Sequence, residues 1–243
     1  MNVLVVDVGG THVKILATGQ TERRAFPSGR KLTAQQMVEE VKTLAEDWSY
    51  DRVAIGFPGP VLHQRPLTDP FNLGKGWAGF DFAAAFGHPA RVINDAAMQA
   101  LGGYEGGKML FLGLGTGLGT ALVAEGVVEP LELGHLAYRK ATFEDYVGLR
   151  GLERMGKKKW RKHVSAVIEQ LTAAIEPDSI LIGGGNARLL KELPATCRIG
   201  DNSNAFLGGF RLWEGASPAP AKHAAPSRRA PARPEKATRG SRP

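Results

Sequence analysis

The chain has 243 residues, 43% hydrophobic and 23% charged, with a formal net charge of +7 and one cysteine, Cys197. That length supports one ordinary core or two small lobes, and a lone cysteine excludes an intramolecular disulfide and a cysteine-rich zinc cage. No apolar run approaches the roughly 20 residues of a membrane span, so a soluble, cytoplasmic protein with no membrane partner is expected.

In chain order, Val3 to Val6 reads as a buried strand with Val13 to Thr18 as its hairpin partner, joined by the turn Asp7-Val8-Gly9-Gly10-Thr11-His12. Glu22 to Phe26 is a further strand candidate. Thr33 with Gln36 three residues later forms a capping box, and Met37, Val38, Val41, Leu44, Ala45 and Trp48 continue at helical spacing. Arg52 to Phe57 returns as a strand and stops at Gly56-Phe57-Pro58-Gly59-Pro60. Ala90 to Ile93 leads into a helical stretch from about 96 to 104, and Met109 to Leu112 leads into a second glycine turn, Gly113 to Thr120.

A long helix carrying Trp160, Val164, Val167, Ile168, Leu171 and Ile175 on one face ends before Pro177. The strand Ser179 to Ile182 follows, and Gly183-Gly184-Gly185-Asn186 is expected to open another helix. This is a repeated α/β pattern, with a division expected near residue 95: an N-terminal lobe over 1–95 and a C-terminal lobe over 96–213. Residues 214–243 form a basic Pro/Ala-rich tail, expected to be disordered because no aliphatic side chain larger than alanine is available to bury beyond Glu214. Residues 215–243 hold seven Lys/Arg against Glu235, so the rest of the chain has a net charge of only +1. The tail is either solubilising or an arm for polyanions, with nucleic acid limited to non-specific contacts.

Common nucleotide motifs fail. Gly102 to Lys108 and Gly151 to Lys157 have Walker A spacing, but Met109 and Lys158 replace the required hydroxyl residue. The Gly113 to Gly119 run alternates glycines and continues into a strand, unlike the strand-to-helix turn of a dinucleotide site. Two glycine turns with Asn94-Asp95 between them suggest phosphoryl transfer. Gly9, Gly10, Gly115 and Gly117 let backbone N–H groups approach anionic oxygens, with hydroxyls from Thr11 and Thr116. Lys14 is either a phosphate contact or a solvated hairpin residue. Asp95 is either a helix N-cap or the base that accepts a hydroxyl proton.

Taken in order, Asp7-Val8-Gly9-Gly10-Thr11, the Gly56 to Val61 loop, Asp69-Pro70-Phe71-Asn72-Leu73 with Trp77, Asn94-Asp95-Ala96, Gly115 to Gly119, Glu132-Leu133-Gly134-His135 and Gly183-Gly184-Gly185 resemble the ROK family of sugar kinases, in particular its polyphosphate glucokinase-like branch. The resemblance covers most of residues 1 to 213. It implies an actin/hexokinase-like (ribonuclease H-like) duplicated fold with mixed sheets and a cleft between two lobes. The implied activity is transfer of a phosphoryl group from ATP or polyphosphate to the 6-hydroxyl of glucose or a neighbouring hexose, with Asp95 as general base. Asn72, Asn94, Glu132 and His135 would bind sugar, together supplying the donors and acceptors its hydroxyls need, with Glu144 as a further sugar carboxylate.

Asp7 would orient Mg²⁺ through water, and Gly183, Gly184 and Gly185 would form the adenosine-side loop. In many relatives the histidine at the position of His135 also ligates zinc beside a cysteine cluster. That cluster is missing here, so no zinc is expected. A homodimer is compatible with the pattern. The contrasting reading is a non-catalytic sugar-binding regulator; such repressors carry an N-terminal helix-turn-helix, for which no room is expected before a strand starting at Val3. Lys157-Lys158-Lys159-Trp160-Arg161-Lys162 crowds positive charge at a helix start; these residues are either solvated or compensated there by a polyanion.

Overall fold

The computed structural model describes residues 1–201 and 203–214; the basic tail, apart from Glu214, lies outside the described residues. The elements run β1 (Val3–Val8), β2 (His12–Ala17), β3 (Arg24–Pro27), α1 (Ala34–Leu44), β4 (Arg52–Phe57), the small ribbon β5 (Val61–Leu62) and β6 (Arg65–Pro66), α2 (Phe82–Phe86), β7 (Ala90–Asn94) and α3 (Asp95–Gly102). They continue with β8 (Met109–Leu114), β9 (Leu118–Ala124), β10 (Val127–Leu131), the ribbon β11 (Ala137–Tyr138) and β12 (Ala141–Thr142), α4 (Phe143–Val147), α5 (Leu149–Ile175), β13 (Ser179–Gly183), β14 (Cys197–Ile199) and α6 (Asn204–Glu214).

Two five-stranded sheets follow one plan. The first is ordered β3-β2-β1-β4-β7 and the second β10-β9-β8-β13-β14. In each, the first three strands form an antiparallel meander and the last two join it in parallel. The repetition seen in the sequence is therefore a duplication of topology. Strands β1 and β4 are apolar almost throughout because both faces of the first sheet are covered, as parallel strands in α/β folds require.

One face of the first sheet packs on α1 and α2, around Met37, Val41, Ile55, Phe57, Trp77 and Phe82. The other receives α6, whose Ala205 and Phe206 meet Val3, Val5, Ala54 and Met98. Helices α3 and α6 cross so closely that a Cβ on Gly102 or on Gly208 would overlap the backbone oxygen of Asn204 or of Met98. Glycine at both positions makes that approach possible. The second sheet packs Leu110, Leu112, Ile180 and Ile182 against Trp160, Val164, Ile168 and Leu171 of α5.

The helix expected to start at Lys157 and to carry Trp160 to Ile175 does so: it follows a break at Gly156 (φ 71°, ψ 162°), with a further helical segment of α5 from Leu149 before the break. Two expected elements differ. Helix α1 stops at Leu44, and its apolar continuation through Ala45 and Trp48 is a turn that stays buried on the core. After β13, Gly183 to Asn186 opens only a short 3-10 turn, Ala187–Leu189, because Gly184 (φ 82°) turns back onto Leu114 and the Asn186 N–H bonds the Leu114 carbonyl at 3.0 Å. No helix among the described residues is long and apolar enough to cross a membrane.

Candidate active site

The parallel strands of both sheets end on one cleft of about 350 Å³, of the size small-molecule sites have. Gly10 follows β1, Gly59 follows β4, Asp95 follows β7, Gly115 follows β8 and Gly184 follows β13, and all five line it. Ligands of open α/β sheets bind at such strand ends.

Asn94 decides what Asp95 can do. Its Oδ1 caps α3, accepting the Ala96 and Ala97 N–H groups at 3.0 and 3.2 Å, while its Nδ2 donates to the Gly59 carbonyl at 3.2 Å. The cap role that an aspartate commonly takes thus falls to Asn94, and the Asp95 carboxyl is left in the cleft, accepting the Ala96 N–H at 2.8 Å. Burial, followed by the like charge of Asp7, raises its pKa to about 7; backbone N–H groups of Ala96 and Asp95 oppose the rise, and Glu132 adds to it. Asp7, beside it in β1, is also raised by burial, against the opposing charge of Lys14, whose Nζ is 3.4 Å from Asp7 Oδ2. Lys14 therefore serves as the partner of Asp7 in this structure and does not line the cleft.

Asn72 is carried on a loop fixed from beneath. Asp69 Oδ1 accepts the Trp77 and Ala78 N–H groups at 2.8 and 3.1 Å, which lowers the Asp69 pKa, and the buried Trp77 donates its Nε1–H to the Leu32 carbonyl at 3.1 Å. On the opposite wall, the buried Thr120 hydroxyl donates to the Leu131 carbonyl at 2.7 Å and accepts the Leu133 N–H at 3.1 Å, holding the segment that presents Glu132. Glu132 lines the cleft, but His135, 3.8 Å from it and 72% exposed, stands outside. Thr142 and Asp145 form a capping box that starts α4 and brings Glu144 over the second glycine turn. Glu144 Oε2 accepts the Leu118 N–H at 3.3 Å and fills the space a Cβ on Gly117 would need.

The expected phosphate residues are brought together unevenly. Gly10, Gly115, Thr116, Gly117 and Gly184 line the cleft, whereas Gly9, Thr11, Gly183 and Gly185 do not. The Gly9 N–H bonds the His12 carbonyl at 3.0 Å and the Gly115 N–H bonds the Gly117 carbonyl at 3.2 Å, so those two amides are engaged inside their own turns. Gly183 is instead the space into which Phe111 packs. Gln99, on α3 one turn beyond Asp95, also lines the cleft. Its i, i+4 spacing from Asp95 on one helix face was the available sequence signal. Among the described residues, no group of three or more His, Cys, Asp or Glu side chains forms a metal cluster.

Residues 3–137, more than half of the chain, match the family model described as ROK family. The chain belongs to the ROK family. Among its ROK relatives it is similar to the polyphosphate glucokinase of Mycobacterium tuberculosis, with 27% identity over 205 residues that cover 75% of this chain and 77% of that protein. It is also similar to the bifunctional enzyme NanE/NanK of Brucella melitensis, with 26% identity over 238 residues, but there it spans only 45% of the relative's length. The crystal structure of an inorganic polyphosphate/ATP-glucomannokinase from Arthrobacter sp. strain KM superposes with a TM-score of 0.74 at 24% identity, covering 86% of this chain and 96% of that one. The ROK fold, actin/hexokinase-like with two mixed sheets, is thus the fold of this protein.

Proposed function

We propose that this ROK protein is a hexose kinase that transfers a phosphoryl group from ATP or polyphosphate to the 6-hydroxyl of glucose or a closely related hexose. The carrying observation is Asp95, a carboxyl freed from helix capping, placed between two glycine turns and shifted to about pH 7, where a general base works best. The names of the Mycobacterium and Arthrobacter proteins supply the substrate classes. Asp95 would accept the proton of the attacking hydroxyl and align its oxygen. Asn72, Glu132 and Glu144 would bind the other sugar hydroxyls, Asn94 would offer its second amide hydrogen, and His135 would join them when the lobes, read as 1–95 and 96–213, close on the sugar.

Gly10, Thr116 and Gly117 would face the donor phosphates, with Gly9, Thr11, Gly115, Gly183 and Gly185 shaping the turns and Gly184 bordering the site. The residues also fit magnesium: the carboxyls available are hard oxygen donors, and the like-charge coupling of Asp7 and Asp95 is what a divalent cation relieves. Asp7 would hold the ion through its waters, and the ion when bound neutralises donor phosphate charge. The test is a coupled assay of purified protein over a panel of hexoses with ATP and with polyphosphate, each with magnesium and with excess chelator. Absence of phosphoryl transfer to every hexose would overturn the reading.

A further inference from the structure

Helix α5 begins directly against the second glycine turn. The Leu149 N–H lies 3.0 Å from the Gly115 carbonyl oxygen and 3.1 Å from that of Thr116, which places the next residue, Arg150, at the rim of the cleft. Arg150 Nη2 is 3.5 Å from Glu144 Oε1 and 3.6 Å from Asp145 Oδ1, and its side chain is 71% exposed. These separations exceed the ~2.7–2.9 Å of a charge-assisted hydrogen bond, and exposed pairs of this kind contribute little. The guanidinium is committed to neither carboxylate. Arg154, one turn on, is by contrast fixed: it donates to the Asp145 carbonyl at 2.9 Å and lies over the Tyr146 ring.

The other oxygen of Glu144 rests on the Leu118 amide above Gly117. One carboxylate therefore bridges a backbone amide of the glycine turn and an arginine at the rim. The position already accommodates an anionic group between two donors, and the protein's own Glu144 carboxylate occupies it.

We propose that Arg150 is a donor-binding residue: its guanidinium leaves Glu144 and Asp145 to grip the donor's phosphate oxygens at the Gly115–Gly117 turn, which releases Glu144 toward the sugar. The inference deepens the kinase reading and rests on it. No covalent bond is made or broken in the exchange; one anion replaces another between the same amide and guanidinium. The planar fork of arginine suits a phosphate with two parallel hydrogen bonds, which lysine cannot reproduce.

The test uses Arg150→Gln and Arg150→Lys in the full chain. Binding of inorganic tripolyphosphate and of magnesium-ATP is measured by calorimetry without sugar, glucose binding without donor, and KM for each substrate by coupled assay. Arg150→Gln should weaken donor binding and raise donor KM about tenfold or more, the loss expected for a charged hydrogen bond. Glucose affinity should stay within about twofold, and Arg150→Lys should recover part of the loss. Donor affinity and donor KM unchanged in Arg150→Gln would overturn the proposal, and a selective loss of glucose affinity would make Arg150 a positioning residue for Glu144 instead. A parent protein inactive on every hexose would sink the kinase reading itself, whereas an active parent with an indifferent Arg150 sinks only this inference.

Discussion

A Cβ built on Gly119 would lie 2.9 Å from the Ala96 Cβ, so the second glycine turn and the helix that begins with Asp95 touch without room for another carbon. The two halves of the candidate active site are joined at this contact. Gly119→Ala should push α3 from β9 and cost about 1–3 kcal/mol, as overpacking in a tight interior does. Differential scanning calorimetry would measure the lowered midpoint, and turnover should fall with it because Asp95 is the neighbour of Ala96. An unchanged midpoint would mean that the contact yields easily.

Asp95→Asn keeps the shape of the side chain and removes the proton acceptor. Turnover should fall about 10²–10⁴-fold, the usual contribution of a general base, while glucose binding measured by calorimetry stays within a few fold. Near-normal turnover in the purified variant would remove Asp95 from the mechanism.

The raised pKa of Asp95 sets two pH dependences. Only the ionised carboxylate accepts a proton, so kcat/KM for the sugar should decline as pH falls through about 7. For stability the sign is opposite. Between the unfolded value of 3.8 and about 7 the native state binds the extra proton, so the Asp95 contribution to stability diminishes as pH rises through that window and stays low above it. Asp7 shifts in the same direction, so the measurement is the difference between parent and Asp95→Asn in denaturant unfolding from pH 4 to pH 8. The variant should gain on the parent toward pH 8; parallel curves would contradict the shift.

Lys157, Lys158 and Lys159 are exposed and begin the helical segment after the Gly156 break, so their charges and the positive helix end reinforce each other. Reversing all three to Glu should raise KM for long-chain polyphosphate much more than for ATP, and added salt should imitate the change in the parent. Equal effects on both donors would assign the cluster to solvent.

His163 gives a third pH effect. Burial, then Arg139 and Arg154, lower its pKa below 6.5, and its Nδ1 lies 3.1 Å from the Tyr138 hydroxyl. The unfolded chain therefore takes up the proton first, and the His163 contribution to stability should be lost as pH falls from about 6.5. His163→Gln should flatten that part of the curve relative to the parent; an identical acid limb would show that the histidine titrates normally.

Residues close in sequence made much of the fold and site legible. The Thr33/Gln36 capping box, the strand Arg52–Phe57 and the two glycine turns depend on neighbours a few positions away, and the turns with Asn94-Asp95 pointed to phosphate chemistry. The assignment of the N-cap to Asn94 was less accessible, because either adjacent residue has the chemistry for it and the Gly59 carbonyl 35 positions away fixes the choice. The failure of Gly183–Gly185 to open a helix has a similar cause, since the backbone of Leu114 captures Asn186.

The sequence by itself determined the α/β duplication, the glycine turns and the carboxyl that follows β7, because strand pattern, turn chemistry and helix starts are local properties of the chain. Only the tertiary structure decided that Lys14 pairs with Asp7, that Glu144 lies on the Leu118 amide with Arg150 at its side, and that α6 returns to pack on β1. Those relationships join residues from separate elements, and close packing and burial of charge, which sum over the whole fold, select them.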